Sequence, residues 1–200
     1  MTDKPTVYVV DDDPDVRDSL KILLEFAGFD VYAFESALKF LSADVRKMNG
    51  CLVVDIRMPD MDGLDLQDEL RRRGINLPII VVTGHGDVPL AVRAMRAGAV
   101  DFLEKPFREE ALIEGIRRAF ASRKSQPSDG EIEAVKQRVS SLTGREREIL
   151  DLIVEGSTSK EVARVLSISP RTVDIHRGHV MEKMRAGNIA DLIRMVLSTK

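Results

Sequence analysis

The first 120 residues alternate between two patterns of apolar and polar positions. Five short runs rich in β-branched residues are typical of buried strands. These runs are residues 6–10, 29–34, 51–55, 78–83 and 100–104. In the longer segments between them, apolar residues recur every three or four positions, as on one face of a helix. Strand and helix alternate five times, which predicts a doubly wound, five-stranded parallel sheet with helices on both faces.

Helix boundaries in this part are marked by single residues. Asp13, which is followed by Pro14, fits the N-cap of the first helix, where a carboxylate accepts from free backbone amides. Gly28 and Gly74 stand where two helices are expected to end, and glycine suits helix C-termini.

The last 60 residues show only the helical pattern. Thr143 and Thr158 each stand three residues before a glutamate, as in a capping box. Ser169 with Pro170, and then Asn188, supply two further helix starts. We therefore predict an all-α, four-helix domain. Its second and third helices have the spacing of a helix-turn-helix, although a small dimerisation domain needs the same apolar faces.

Composition and charge support two domains. The chain of 200 residues is 44% apolar and 32% charged, which is typical of a globular protein with room for two cores. Net charge is −6 over residues 1–122 and +3 over 123–200, so the second part permits nucleic-acid contact. The polar stretch SRKSQPSDGE is typical of a linker. We expect a first domain at 1–122, a linker at 123–138 and a second domain at 139–200.

Several classes of protein are disfavoured. No apolar run has membrane-spanning length and no secretory signal is evident, so we expect a cytoplasmic protein without membrane association. Cys51 is the single cysteine, which excludes an internal disulfide and a zinc site built on cysteines.

The ends of the predicted strands carry charged and hydroxyl side chains. Asp11 and Asp12 end the first strand, Asp55 the third and Thr83 the fourth, and Lys105 follows the fifth. In an open parallel sheet these ends share one edge, where ligands bind. Three carboxylates that meet there need a cation, and hard oxygen ligands favour Mg²⁺.

This edge has the groups that phosphoryl transfer requires. A carboxylate can attack phosphorus and hold the group as an acyl phosphate when a metal offsets the developing charge. Asp55 is the predicted nucleophile because it lies on a different strand from the acidic pair. We expect Lys105 and the Thr83 hydroxyl to contact the phosphoryl oxygens.

These residues resemble the receiver domain of two-component response regulators, over roughly the first 120 positions. The resemblance implies a flavodoxin-like fold and a phosphoryl group taken by Asp55 from a sensor histidine kinase. It also implies that Mg²⁺ is held by Asp11, Asp12, Asp55 and the backbone carbonyl of Arg57. Phe102 matches an aromatic switch that is expected to turn inward on phosphorylation, and Lys105–Pro106 matches a peptide bond that is often cis.

The C-terminal segments LTGREREIL, GSTSKEVARVLSISPRTVDIHRGHVMEKM and NIADLIRM are similar to the LuxR-type DNA-binding domain. Together with the receiver they indicate the NarL/FixJ class. The stretch TGHGDVPLAVRAMRAGAVDFLEKPF is particularly similar to regulators that are paired with an oxygen-sensing kinase and control nitrogen-fixation genes.

The LuxR-type resemblance also assigns residues to DNA. It places near DNA Lys160, Arg171, Thr172, Asp174, Ile175, Arg177, Gly178 and Lys183. The four basic side chains are expected to meet phosphates. Asp174 departs from relatives that often carry lysine, and its carboxylate suits a cytosine amino group. His176 is expected to pack inside the domain.

The function expected from these observations is phosphorylation-switched transcription. The phosphorylated chain would form a homodimer, bind promoter DNA at two half-sites and act with RNA polymerase. It would assist its own phosphorylation and dephosphorylation without being a turnover enzyme. One alternative is an aspartyl-phosphate phosphotransferase or phosphatase for small substrates. Aspartyl phosphatases need a second aspartate two residues after the nucleophile, and this chain has Arg57 there. The other alternative is an adaptor that does not bind DNA.

Overall fold

The computed structural model describes residues 4–84, 86–122 and 129–199. The chain divides into two compact units. The first consists of residues 1–85 and 97–124, and the second of residues 86–96 and 125–200. The predicted domain boundaries stay a prediction. Residues 123–128 of the predicted linker lie outside the described residues, and the rest of it lies in a helix.

The first unit alternates strands with helices. Its elements are β1 (Thr6–Val10), α1 (Pro14–Phe26), β2 (Asp30–Phe34), α2 (Ala37–Ser42), a 3₁₀ turn (Val45–Lys47), β3 (Cys51–Asp55), α3 (Gly63–Arg72) and β4 (Ile79–Thr83). After α4 (Val88–Arg96), which belongs to the second unit, come β5 (Asp101–Glu104) and α5 (Glu109–Ser122). All five predicted strands are present, with their starts displaced by at most one residue.

The strands form one parallel sheet in the order β2-β1-β3-β4-β5. This is the strand order of a flavodoxin-like fold, which confirms the doubly wound sheet that the sequence pattern predicted and the fold that the receiver resemblance implied. On one face α1 and α5 cover a core that includes Val9, Val53 and Leu112. On the other face the ring of Phe40, from α2, lies 6.0 Å from that of Tyr8 in β1. Helices therefore cover both faces, which explains the almost continuous apolar runs of the central strands.

Strand register brings the predicted polar residues to one edge. Val10 pairs with Val54, Asp55 with Val82, and Thr83 with Glu104, so all these strands end at nearly the same level. The Asp13 carboxylate accepts from the amides of Asp15 and Val16, which confirms the predicted cap of α1.

The second unit contains the helices α6 (Asp129–Ser140), α7 (Gly144–Glu155), α8 (Ser159–Leu166), α9 (Pro170–Met184) and α10 (Ile189–Leu197), together with α4. The capping boxes at Thr143 and Thr158 are both formed, and Ser169 and Asn188 are N-caps as predicted. The four predicted helices are α7 to α10.

The inclusion of α4 in this second unit was not predicted. Val88 of α4 packs against the core of α7, α8, α9 and α10. The Arg96 guanidinium donates to the Val154 carbonyl at 2.9 Å. Among the described residues, no helix is both long and apolar enough to cross a membrane.

Gly63, the first residue of α3, is held close to the end of β3. Its amide donates to the Ile56 carbonyl at 3.0 Å, and an added Cβ would lie 2.3 Å from the Asp55 carbonyl oxygen. We predict that Gly63→Ala lowers the free energy of unfolding by about 1–3 kcal/mol, because the backbone must move.

Gly84→Ala is the matched control, since no heavy atom of the described residues beyond its chain neighbours lies within 4 Å of its added Cβ. Urea unfolding followed through Tyr8 and Tyr32, the two tyrosines of a chain without tryptophan, reports on the first unit. Equal midpoints for the two variants would contradict the prediction.

Candidate functional site

The Lys105 ammonium lies between two carboxylates at the carboxyl edge of the sheet. Its Nζ is 2.7 Å from Asp11 Oδ2 and 2.7 Å from Asp55 Oδ1. The second oxygen of each carboxylate accepts from a backbone amide, Asp13 N–H at 3.0 Å for Asp11 and Arg57 N–H at 2.6 Å for Asp55. The structure therefore brings together Asp11, Asp55 and Lys105, as the sequence predicted.

Burial makes this arrangement electrostatically strong. The exposed fraction is 2% for Asp11 and 7% for Asp55. Burial raises the pKa of Asp55 and the Asp11 charge raises it further, whereas the Lys105 hydrogen bond opposes this rise. Burial also acts against the charged form of Lys105, but hydrogen bonds to Asp11 and Asp55 outweigh it and raise the pKa of Lys105. Lys105 is therefore protonated at neutral pH and offsets the repulsion of the two carboxylates.

Thr83 is completely buried at the end of β4. Its carbonyl accepts from the Lys105 amide at 2.7 Å, which fixes the two residues relative to each other. The Lys105–Pro106 peptide bond is cis, as the resemblance implied. Phe102 is 5% exposed in this structure. Its expected inward turn on phosphorylation stays a prediction.

The sequence predicted that three carboxylates meet at this edge, and in the structure Asp11 and Asp55 do so. Asp12 and the Arg57 side chain are exposed, and within residues 4–84, 86–122 and 129–199 no cluster of three acidic, histidine or cysteine side chains is arranged to hold a metal. The donors at the edge are nevertheless all oxygens, apart from Lys105. Two buried carboxylates beside an exposed third fit a hard divalent cation that keeps part of its water shell.

The residues predicted to contact DNA belong to α8 and α9. Thr172 and Arg177 are half-buried, and the others are exposed: Lys160, Arg171, Asp174, Ile175, Gly178 and Lys183. Two of the exposed residues are engaged within the unit. Ser159 Oγ donates to Asp174 Oδ1 at 2.9 Å, and Lys183 Nζ lies 2.7 and 2.9 Å from the two Glu146 oxygens. Their contacts with DNA remain predictions.

Lys183 thus has a structural contact that sequence reasoning missed. The pair joins the end of α9 to the start of α7, where Glu146 also accepts from the Thr143 amide at 2.8 Å in the capping box. Hydrogen bonds from Lys183 and Thr143 lower the pKa of Glu146 to about 2. No local pattern signals this pair, because its members are 37 residues apart.

His176 was expected to pack inside the second domain, and no role was predicted for Arg17. His176 is half-buried, in partial agreement with the expected packing, and its buried Nδ1 has no hydrogen-bond partner among the described residues. Arg17 of α1 donates to the Asp11 carbonyl at 2.8 Å and so supports the acidic edge. Arg17 follows the N-cap Asp13 by four residues, about one helical turn. This spacing is the feature of the sequence that could have indicated the contact.

Two family models match the chain in separate segments. The response regulator receiver domain matches residues 7–117, more than half of the chain. The luxR family of bacterial regulatory proteins matches residues 140–196. The chain belongs to the two-component response regulators with a LuxR-type DNA-binding domain, a family of transcriptional regulators rather than classical enzymes.

Within this family, the chain is similar to regulators named FixJ. The transcriptional regulatory protein FixJ of Rhizobium meliloti is 47% identical, over 99% of this chain and 97% of the relative. FixJ of Azorhizobium caulinodans is 46% identical, over 98% of this chain and 94% of the relative. A crystal structure of full-length FixJ from B. japonicum is 42% identical with a TM-score of 0.56, and the match covers 99% of this chain and 98% of that one. The predicted receiver fold and NarL/FixJ class are confirmed.

We predict a pH-dependent contribution of Glu146 to the stability of the second unit. Its pKa in the folded state, about 2, is below the ordinary 4.5, so the stabilisation is complete above pH 4.5 and is lost as the pH falls towards 2. Glu146→Gln keeps a capping side chain but loses the charge that pairs with Lys183. The variant should be less stable than the parent at neutral pH and nearly equal to it near pH 2.

Glu161→Gln is the matched control, because Glu161 closes the other capping box and its cationic neighbour is Arg164 on the same helix rather than a residue of a distant helix. Circular dichroism during urea unfolding follows the helices of both units, and the tyrosine signal follows the first unit alone. The transition seen only by circular dichroism is therefore that of the second unit. If Glu146→Gln lowers the free energy of unfolding by no more than Glu161→Gln does, or by an amount that does not depend on pH, the ion pair contributes nothing to stability.

Proposed function

We propose that Asp55 accepts a phosphoryl group from a cognate sensor histidine kinase and that the phosphorylated chain forms a homodimer on promoter DNA. The observation that carries the proposal is the Lys105 ammonium, which bridges Asp55 and Asp11 at 2.7 Å. A buried acceptor carboxylate held beside a cation is suited to a group that arrives with negative charge.

The transfer is a single displacement at phosphorus. An Asp55 oxygen attacks the phosphorus of a phosphohistidine, the P–N bond breaks, and its electron pair leaves with the imidazole. The product acyl phosphate adds a charge of roughly −1.5 to −2 at the edge of the sheet. Lys105 then contacts phosphoryl oxygens, and the Thr83 hydroxyl donates to another.

Asp11, Asp12, Asp55 and the Arg57 carbonyl are the proposed ligands of Mg²⁺. When bound, the metal supplies positive charge that offsets the charge developing on the transferred group. Around it the chain's own groups hold the carboxylates in place, through the amides of Asp13 and Arg57. The protein in this way assists its own phosphorylation and dephosphorylation without turning over a small substrate.

The second unit carries the output. Its exposed basic residues Lys160 and Arg171 support contact with phosphates, and pairing of two copies would place two recognition helices on successive half-sites. We further propose a FixL-like, oxygen-responsive kinase as the partner, nitrogen-fixation genes as targets, and RNA polymerase as the enzyme recruited. Similarity to the two FixJ regulators supports these finer assignments.

Asp55→Asn is predicted to reduce phosphate incorporation to background, because an amide cannot form the acyl phosphate. The fold should be kept, since the side chain has the same size. Labelling by an acyl phosphate donor measures the uptake, and size-exclusion chromatography with and without the donor measures dimerisation.

Asp60→Asn is the matched control with the same change of charge. Asp60 is exposed at φ 69°, a left-handed conformation that asparagine also adopts. Labelled and dimeric Asp55→Asn protein would overturn the assignment of the acceptor.

The proposed metal site predicts a difference between two adjacent aspartates. Asp12→Asn removes a ligand charge and should raise the Mg²⁺ concentration needed for half-maximal labelling by about tenfold or more. Asp13→Asn should leave it unchanged, because asparagine caps α1 as well as aspartate does. An equal Mg²⁺ requirement in both variants would exclude Asp12 as a ligand.

A further inference from the structure

The sheet of the first unit has one open edge. β2 is the last strand on one side, and all five of its residues are exposed or half-buried. The strand at the other side, β5, is instead buried at Asp101, Phe102 and Leu103. Open edges are commonly protected by charged side chains or proline. Residues 31–34 of β2, with the sequence VYAF, contain neither.

Backbone groups of β2 point outward at two positions. The Asp30 amide donates to the Pro5 carbonyl at 3.1 Å, on the side of β1. Because these directions alternate along a strand, the N–H and C=O groups of Val31 and Ala33 point to the opposite side. Among the strands of the described residues, none lies on that side of β2. Two donors and two acceptors are therefore available to another strand.

The side chains of β2 alternate between the two faces of the sheet. Val31 packs against the core that α1 and α5 cover. Tyr32 lies on the other face, where its ring stacks 6.0 Å from that of Tyr8, yet it is still 58% exposed. Leu38, in the helix α2 on this face, is 51% exposed. A further strand beside β2 would bury apolar surface of Tyr32 that the unit itself leaves in water.

This edge is complementary to a second copy of itself. In an antiparallel pair centred on Tyr32, Val31 of each copy lies opposite Ala33 of the other. Since both residues have outward N–H and C=O groups, the two copies exchange four backbone hydrogen bonds. Tyr32 then faces Tyr32 of the second copy in a non-hydrogen-bonded pair, where Cα atoms are about 4.5 Å apart and side chains are closest.

Charges at the two ends of such a pair are complementary as well. Asp30 begins β2 on the same face as Tyr32, and Lys39 lies near the start of α2, beyond the other end of the strand. Both are exposed, and the surface contact of Lys39 with Glu35, at 3.9 Å, is a weak one. Antiparallel pairing brings Asp30 of each copy to the end at which the other copy has Lys39.

We propose that two copies of this chain associate through β2 in this antiparallel register, so that the sheets of two first units become continuous. The contact uses neither Asp55 nor the second unit, and it therefore goes beyond the proposed function and needs no phosphoryl group, metal or DNA. One short strand makes a small interface, for which we expect a dissociation constant on the order of 10–100 µM.

The first test is sedimentation equilibrium of the unphosphorylated full chain without DNA. Ala33→Pro removes an outward N–H and keeps the ladder to β1, so the fold should tolerate it. It removes two of the four hydrogen bonds between the copies and should raise the dissociation constant by about tenfold or more. Tyr32→Lys places like charges opposite each other and should act in the same direction, whereas Tyr32→Phe keeps the ring and should leave association unchanged.

Val165→Lys is the matched control for Tyr32→Lys. Val165 is 63% exposed on α8 of the second unit, so the change adds the same charge at a similarly exposed position away from the edge. Association should be the same as in the wild type. Circular dichroism of each variant shows that the fold is kept.

The second test fixes the register by disulfide formation under mild oxidation. Tyr32→Cys places two thiols across the centre of the pair, at a Cα separation that a disulfide spans, and should give a covalent dimer. Asp30→Cys is the matched control on the same strand and face, because its Cα atoms would lie roughly 14 Å apart. The wild type, in which Cys51 is buried, gives the background.

A wild-type chain that stays monomeric up to about 1 mM would overturn the proposal, and the edge would then be open to a strand of another protein. Association that is equal in the wild type, Ala33→Pro and Tyr32→Lys would overturn it too, because another surface would be responsible. Disulfide formation as fast in Asp30→Cys as in Tyr32→Cys would exclude this register. None of these results depends on phosphate uptake by Asp55, so the proposed function is tested separately.

Discussion

The two carboxylates at the edge of the sheet depend on one cation of the chain itself. Asp11 and Asp55 come from different strands and are both buried, and each would repel the other without the Lys105 ammonium between them. The strand register, the cap of α1 and the backbone contact between Thr83 and Lys105 all serve to bring these three side chains together. In the proposed phosphorylation of Asp55, an incoming phosphoryl group would change the charge that Lys105 balances, so the contact that stabilises the resting site would be the one that is altered.

In the second unit, charged and polar side chains link one helix to another. There Glu146 and Lys183 link α7 to α9, and Ser159 links α8 to α9 through Asp174. Both contacts end on α9, the helix that is proposed to read DNA. The orientation of that helix is therefore set by polar contacts as well as by its buried valines. Asp174 and Lys183, both exposed on α9, therefore also hold the helices of the unit together.

Sequence reasoning predicted local features and strand ends well. β1 and β3 have the predicted bounds, and the caps at Asp13, Thr143 and Thr158 are formed, because each depends on residues that are close in the chain. The convergence of Asp55 and Lys105 was also predictable, since parallel strands end at one edge. The pairing of Lys183 with Glu146 was not, because it depends on how two helices that are distant in the chain pack together.

The position of α4 matters for the design of truncated forms of the protein. Residues 86–96 are encoded between β4 and β5, yet they pack in the unit that contains the C-terminal helices. A recombinant fragment that stops after residue 122 keeps this segment but lacks the partners of Val88 and Arg96. In such a fragment the part of Val88 that packs against the core of the second unit in the full chain is exposed to solvent.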